Sequence, residues 1–268
     1  MPEPYVGLTI LAREFSVTSE MTDWYRSGLA VEARATPPQM LANAVDTANG
    51  VMFSQQRGHL WLRQEWDFHA PLEIGLTYSV EGRVTDIYPR RDRKILLTET
   101  ELRDPQGRLV SVQRHHQSFL VDAPAGEVTF REPGEKEGSR TFERPAGNLL
   151  GSLEETVTLE MCGEFFHGSR SYHTDATQSQ ALGFRDVVVG GRMTMGYIGE
   201  LLESALGERW ARSGRLLVKF TNVLWPGERI VARALDCGPA ADGRQRVFAW
   251  VEKSDGVTVL VADGSVER

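Results

Sequence analysis

Apolar residues between positions 193 and 206 recur with the spacing of an amphipathic helix. Met193, Tyr197 and Leu201 stand four residues apart, and Leu202 widens the same face. A helix with one apolar face must bury that face against another element, and the concave side of a curved sheet suits it. We therefore predict one long helix over residues 193–206, packed against a sheet.

Alternating polar and apolar residues predict antiparallel strands in both halves of the chain, and the elements follow the same order twice. In the first half the order is a helix over 38–49, a strand over 60–69, a strand that resumes behind Pro71 and a hairpin that turns at 104–107. In the second half it is the helix over 193–206, a strand over 216–224, a strand that resumes behind Pro226 and a hairpin that turns at 254–256. The repeated order predicts a duplicated α+β topology.

A segment without apolar periodicity separates the two halves. Residues 122–152 are rich in proline, glycine and charged side chains, a composition that is typical of linkers. We predict an N-terminal repeat over 1–121, a linker over 122–152 and a C-terminal repeat over 153–268. Each repeat is expected to hold one long helix and four or five strands.

Composition and charge narrow the classes of function. The chain of 268 residues is 41% hydrophobic and 25% charged, which is enough for one large core or two smaller ones. Its formal net charge of −7 and its lack of a Lys- or Arg-rich run argue against a nucleic-acid partner. Cys162 and Cys237 are far apart and predict neither a disulfide framework nor a metal site. Without a signal-peptide pattern or a run of about 18 apolar residues, a cytoplasmic protein without membrane contact is favoured.

The segment 169–175 has the sequence S-R-S-Y-H-T-D and contains the leading candidate for proton transfer, His173. A neutral imidazole with an ordinary pKa near about 6.5 can accept a proton at cellular pH. Gly190 and Gly191 follow at the start of the predicted helix, where free backbone N–H groups can stabilise an oxyanion. The sequence therefore predicts a base and an oxyanion site that one fold-back of the chain would bring together.

The other histidines are weaker candidates for the catalytic base. His167 is retained as an alternative base because its loop should lie near His173. For the others we favour structural roles, because they lie on or beside predicted strands: His59, His69, His115 and His116.

The order of several short motifs resembles the MaoC-like acyl dehydratases and hydratases in their two-repeat form. These motifs are H-T-D at 173–175, Ala181 and Gly183 behind it, and V-V-V-G-G-R-M over 187–193. Upstream, Q-E-W-D-F-H-A-P-L-E-I-G over 64–75 is similar to the family's non-catalytic first repeat. The resemblance implies an α+β double hot dog fold, in which an antiparallel sheet wraps a long central helix in each repeat, with the site mainly in the second repeat.

The resemblance also implies a reaction. It is the reversible hydration or dehydration of a 2-enoyl or 3-hydroxyacyl thioester carried on coenzyme A or an acyl carrier protein, which makes the chain a hydro-lyase. His173 is implied as the base, and backbone N–H groups around Gly190, Gly191 and Arg192 as the oxyanion hole. The substrate brings its own carrier, so no further cofactor and no metal are expected. The expected partners are the acyl thioester, an acyl carrier protein and a second copy in a homodimer.

One departure from the family's pattern concerns the second catalytic group. An aspartate usually lies five residues before the histidine, with an asparagine and a proline between them. Gly168 stands at the aspartate position, and Arg170 and Ser171 stand at the other two. The usual carboxylate partner of the histidine is therefore missing.

Several explanations of the missing aspartate stay open. A carboxylate from elsewhere could replace it, the nearest in sequence being Asp175, Asp186 and Glu164. Alternatively, His173 works with a hydroxyl group, and Arg170 binds a carboxylate or phosphate of the substrate. The third explanation is changed chemistry: a non-catalytic acyl-thioester binding protein, or a one-base cyclase or lyase. A thioesterase on the same fold ranks lower.

The residues predicted for the site fall into two groups. The catalytic candidates are His173, Gly191, Arg170 and Tyr172. The substrate-binding candidates are Gly190, Arg192, Ser169 and Asp175.

Overall fold

Ten antiparallel strands, five from each half of the chain, form one continuous sheet. The computed structural model describes residues 3–43, 51–54, 56–120 and 142–268. The strands of the first half are β1 Thr9–Ser16, β2 Leu60–Phe68, β3 Thr77–Arg90, β4 Arg93–Arg103 and β5 Leu109–Leu120. Those of the second half are β6 Asn148–Thr156, β7 Arg215–Phe220, β8 Arg229–Pro239, β9 Gln245–Lys253 and β10 Thr258–Val266.

The order of the strands is symmetrical about the middle of the sheet. It runs β1-β3-β4-β5-β2-β7-β10-β9-β8-β6, so that each half contributes the same topology. The two halves meet where β2 pairs with β7, from Arg63 opposite Lys219 to Asp67 opposite Arg215. The predicted duplication and both predicted hairpins are present, and they follow from the alternating patterns that the sequence displays.

The described residues include five α-helices. They are α1 Ser19–Gly28, α2 Leu159–Phe165, α3 Ala176–Ala181, α4 Gly191–Leu206 and α5 Glu208–Ser213. In the part of the chain that the structure describes, no helix is long and apolar enough to cross a membrane.

Helices α1 and α2 are equivalent in the two halves and pack against each other. Each follows the first strand of its half, and each begins at a threonine whose side chain accepts a hydrogen bond from the third backbone N–H of the helix. These caps, Thr18 and Thr158, lie in the segments V-T-S-E-M at 17–21 and V-T-L-E-M at 157–161. The segments are a local sequence repeat that the predicted elements did not include.

Helix α4 is the central helix of the second half. It packs against β6, β8 and β9, and its buried side chains join one core cluster with residues of the sheet. Small residues on the facing strands, Ala234, Ala249 and Ala262, let the helix approach closely. The prediction of a helix over 193–206 is confirmed, with two more residues at its start.

Two predictions on organisation differ from the structure. The helix expected over 38–49 is a single 3-10 turn at Gln39–Leu41, because Ala42, with ψ of 69°, leaves the helical region; residues 44–50 lie outside the described residues. The first half therefore shows no long central helix among its described residues. Strand β6 begins at Asn148, inside the predicted linker, because it pairs along its whole length with β8. The linker residues 122–141 also lie outside the described residues.

The close contact between α1 and α2 at Gly28 should make any side chain at this position destabilising. A Cβ atom on Gly28 would lie about 2.5 Å from the backbone of Phe165, which cannot move away as a flexible side chain could. We expect Gly28→Ala to lower the free energy of unfolding by about 1–3 kcal/mol, measured by urea denaturation. Gly163→Ala in α2 is the matched control, because a Cβ there meets nothing within 4 Å. It should be neutral or stabilise by up to about 1 kcal/mol, and equal losses in both variants would contradict the packing argument.

Candidate active site

The loop between α2 and α3 carries His173, and its shape explains why a glycine stands at position 168. Helix α2 is followed by its C-cap residue Phe166 and by two left-handed residues, His167 with φ of +58° and Gly168 with φ of +66°. The N–H of Gly168 donates to the carbonyl oxygen of Gly163 at 2.8 Å. A Cβ at Gly168 would meet nothing within 4 Å, so the backbone conformation and not crowding favours glycine here. A residue with a side chain would be strained at this position.

His173 is fixed in one orientation and one tautomer. Its Nδ1 lies 2.8 Å from the carbonyl oxygen of Val188, so Nδ1 carries the proton and donates it. Its ring stacks on Phe166, with 4.8 Å between the ring centroids and 13° between the planes. Burial lowers the pKa of His173 to about 4. The imidazole is therefore neutral at pH 7, and its Nε2 lone pair can accept a proton.

Aromatic rings surround the start of helix α4. Gly190 is the N-cap residue, and a Cβ there would overlap the ring of Phe166. A Cβ on Gly191 would lie 3.0 Å from Trp61 and 3.2 Å from Phe220. The two glycines are thus needed for close packing, and the same Phe166 ring contacts both His173 and the helix start. His173 and Gly190, the predicted base and a residue of the predicted oxyanion site, therefore contact the same aromatic side chain.

Tyr172 connects this site to the first half of the chain. Its hydroxyl lies 3.2 Å from Nε2 of His59, whose Nδ1 lies 2.7 Å from the carbonyl oxygen of Gln56. Because Nδ1 of His59 must donate to that carbonyl, Nε2 accepts, and the Tyr172 hydroxyl donates to it. Burial raises the pKa of the Tyr172 phenol, which keeps it protonated. His59 is a residue that sequence reasoning assigned to a structural role, and no local motif indicates its contact with Tyr172.

The three carboxylates considered as substitutes for the missing aspartate have other partners. Asp175 caps helix α3 by accepting from the N–H of Gln178, and it pairs with Nε of Arg170 at 2.7 Å. Glu164 accepts a hydrogen bond from Ser27 on helix α1, and Asp186 accepts one from the N–H of Val187. Contacts between these carboxylates and His173 are absent among the residues that the structure describes.

Other predicted site residues lie at the edge of the site. Ser169 is exposed, and its carbonyl oxygen accepts a hydrogen bond from the Thr174 hydroxyl at 2.6 Å. The side chain of Arg170 is 73% exposed. The side chain of Arg192 is buried instead and donates to the carbonyl oxygen of Leu41 at 3.1 Å. The ring of the alternative base His167 lies against Trp24 of helix α1, 4.2 Å between centroids.

Residue types that hold metal ions do not gather at this site. Over the described ranges, no group of three His, Cys, Asp or Glu side chains could hold a metal ion. Both cysteines are free thiols, and Cys162 is buried beside Met193. What the site offers chemically is a neutral imidazole, a phenol, and the backbone N–H groups that open a helix.

Solved structures are similar to the chain over nearly its whole length. A MaoC-like dehydratase from Phytophthora capsici has a TM-score of 0.73 at 15% identity, over 98% of this chain and 96% of its own. The peroxisomal multifunctional enzyme type 2 from Drosophila melanogaster has a TM-score of 0.72 at 15% identity, over 97% of this chain and 48% of its own. Rv0216, a protein of Mycobacterium tuberculosis with a double hotdog fold, has a TM-score of 0.64 at 15% identity, over 98% of this chain and 96% of its own.

At the level of sequence, no protein-family model and no curated protein matches the chain. The structural similarity at 15% identity is evidence of fold. Together with the symmetrical ten-stranded sheet and helix α4, it shows that the chain has the double hot dog fold that the sequence resemblance implied.

Proposed function

We propose that the chain is a MaoC-like hydro-lyase that hydrates a 2-enoyl thioester or dehydrates a 3-hydroxyacyl thioester. The observation that carries the proposal is the orientation of His173. Its Nδ1 is held by the carbonyl oxygen of Val188, and its ring stacks on the aromatic side chain that covers the start of helix α4. A base with a free Nε2 beside backbone N–H donors is the arrangement that this reaction needs.

The proposed reaction uses His173 as its one base. Nε2 of His173 takes a proton from water while the water oxygen bonds to C3 of the enoyl group. The π electrons of the C2–C3 double bond move toward the thioester oxygen, and the N–H groups around Gly191 stabilise the negative charge there. The imidazolium then gives its proton to C2, so that one water molecule has been added and the base is regenerated. Dehydration follows the same steps in reverse.

Tyr172 is proposed as the second polar group, in place of the missing aspartate. Because its hydroxyl proton points to His59, a lone pair of the phenol oxygen is left to accept a hydrogen bond from the reacting water. We also propose that Ser169 and Arg170 contact the anionic part of coenzyme A or a carrier protein, because both residues are exposed. We propose as well that the protein is cytoplasmic and forms a homodimer.

A second candidate function is binding of an acyl thioester without turnover. The observation that favours it is the lack of a carboxylate contact to His173 within the described part of the chain. In the family that the sequence resembles, that carboxylate and the histidine together activate the water molecule. A binding protein would retain affinity for an enoyl thioester but would leave its double bond unchanged.

His173→Gln should abolish most of the activity, because no other neutral imidazole lies on the ring that covers Gly190. With but-2-enoyl-CoA as substrate, we expect kcat/KM to fall by about 10²-fold or more. The loss of ultraviolet absorbance of the conjugated enoyl thioester measures the rate. His69→Gln is the matched control, because His69 is exposed and belongs to a different strand end. If His167→Gln is the variant that loses activity, the base is misassigned; binding without turnover by the wild type would favour the second candidate function.

Tyr172→Phe tests the second polar group while retaining the aromatic ring. We expect kcat to fall by about tenfold, since one hydrogen bond to the reacting water is lost, with KM little changed. Tyr88→Phe is the matched control, because its hydroxyl also contacts a histidine, His116 at 3.1 Å, on the first-half sheet. Unchanged kcat in Tyr172→Phe would remove Tyr172 from the mechanism.

The pH profile of kcat/KM reports the protonation of His173 in the free enzyme. Its pKa is lowered from an ordinary value of 6.5 to about 4, so the neutral, active form persists as the pH falls below 6.5. We expect a level profile from pH 7 to about 5 and a decline as the pH approaches about 4. Between pH 6.5 and about 4 the unfolded state binds more protons at His173 than the folded state does. His173 therefore lowers the free energy of unfolding as the pH falls through this range. A decline already centred near 6.5 would contradict the assignment.

A further inference from the structure

A cavity of about 300 Å³ lies at the end of β2 that is remote from the candidate active site. The loop behind β2, the hairpin between β4 and β5, and helix α5 form its wall, so both halves of the chain contribute. Trp61, near the start of β2, lies beside Gly191, whereas the cavity begins at Ala70, behind the end of the strand. With a rise of about 3.3 Å per residue, the two places are on the order of 25 Å apart. The cavity is therefore separate from the candidate active site.

One part of the cavity wall is apolar. It is formed by Ala70, Pro71, Leu76, Leu109 and Val110. All of them except Val110 are partly exposed, so an apolar group in the cavity removes apolar surface from water. Since a water molecule takes up about 30 Å³ in the liquid, the volume holds a ligand of about ten non-hydrogen atoms.

Two guanidinium groups also line the cavity, and each has N–H groups to spare. Nε of Arg108 donates to Oδ2 of Asp104 at 2.6 Å, and Nη2 of Arg108 lies 3.4 Å from Oε1 of Gln106. Arg212 on α5 pairs through Nε and Nη2 with Glu208 of the same helix. Among the residues that the structure describes, neither Nη1 atom has a hydrogen-bond partner. Both arginine side chains are exposed, so these groups can donate to an anion.

The cavity wall contains two carboxylates with different surroundings. Asp104 accepts hydrogen bonds from the backbone N–H groups of Gln106 and Arg108, at 2.9 Å each, and from the side chain of Arg108. Glu73 is exposed, and over the described ranges its carboxylate has neither a hydrogen bond nor an ion pair. Glu73 is therefore the carboxylate that can accept from a ligand, and an ammonium group is its natural complement.

The phenol of Tyr78 adds a neutral donor to the wall. Its oxygen accepts a hydrogen bond from the N–H of Glu73 at 2.8 Å, which leaves the hydroxyl hydrogen to be donated. Burial raises the pKa of Tyr78, and the carboxylates of Glu73 and Asp104 act in the same direction, so the phenol keeps its proton at pH 7. An acceptor for this hydrogen is absent within the described part of the chain. A ligand oxygen would supply one.

We propose that this cavity is a second binding site, and that its ligand is a small zwitterion with an apolar body, such as the amino acid leucine. The carboxylate of the ligand accepts from Arg108 and Arg212, its ammonium group donates to Glu73, and its side chain packs on Leu76 and Leu109. Because Arg212 belongs to the second half and the other residues to the first, the ligand links the two halves. The inference goes beyond the proposed function, since none of the catalytic candidates lines this cavity.

Three related ligands test the charge pattern of the cavity. 4-Methylpentanoate lacks the ammonium group of leucine, and 3-methylbutylamine lacks its carboxylate. By ligand-observed nuclear magnetic resonance, we expect wild-type protein to bind L-leucine with a Kd of about 1 mM or lower. Each analogue should bind about tenfold more weakly, because one charge-assisted hydrogen bond is lost. Leucine should also raise the melting temperature as its concentration rises.

Two variants test the ends of the ligand separately. Glu73→Gln should bind leucine about tenfold more weakly, and 4-methylpentanoate no more weakly than wild type does. Arg212→Gln should lose affinity for leucine and for 4-methylpentanoate, and keep its affinity for 3-methylbutylamine. Glu81→Gln on β3 and Arg209→Gln on α5 are the matched controls, because both residues are exposed and lie outside the cavity wall. They should bind leucine as wild type does.

The outcomes that would overturn the inference are specific. They are a lack of saturable leucine binding by wild type, equal or tighter binding of either analogue, and an unchanged affinity for leucine in either test variant. Glu73 and Arg212 are exposed side chains, so both variants should fold, and unchanged melting temperatures without ligand check this. The inference and the proposed function fail independently, because leucine cannot be hydrated and neither variant alters the candidate active site.

Discussion

A buried carboxylate on helix α4 must be neutralised, and much of the arrangement around that helix depends on how this is done. Glu200 is 3% exposed and pairs with the buried guanidinium of Arg26 on α1 and with Arg34. Arg26 also donates to the carbonyl oxygens of Arg34 and Thr36, at 2.6 and 2.7 Å. Removing one partner of such a pair costs about 3–5 kcal/mol, because the other charge is left buried and unpaired. The ion pairs of Glu200 therefore hold Arg26 and Arg34 of the first half against helix α4 of the second half.

Helix α4 also begins where the two halves of the chain meet, beside the proposed base His173. Gly191 lies between Trp61 and Phe220, one from each half, and Phe166 spans from Gly190 to His173. The candidate site is thus assembled at the junction of the halves. His173 and the N–H groups at the start of α4 come from the second half, whereas His59 and the Trp61 ring come from the first.

The elements that sequence patterns predicted well are those with local causes. The 3.6-residue period gave helix α4, and alternation gave β2 and both hairpins. The helix over 38–49 was wrong at least as far as Ala42; the carbonyl oxygen of Leu41 beside it accepts a hydrogen bond from Arg192 on α4, a contact that no local pattern indicates. The histidine of the site follows from a motif, but its contact through Tyr172 to His59 spans 113 residues and leaves no local pattern. The missing aspartate was visible in the sequence as Gly168, and the left-handed φ at that position favours glycine over a residue with a side chain.

The pairing of β2 with β7 joins the halves through main-chain hydrogen bonds. Such a joint is insensitive to which side chains the strands carry, so long as their alternation is retained. One half can therefore carry polar residues such as Gln64 and Thr98 where the other half carries apolar ones such as Val218 and Ala262, while the sheet stays continuous. In a symmetrical dimer of identical single repeats, every substitution would appear twice. In a single chain, the two repeats of the same architecture can differ in sequence, so that each can take a different role.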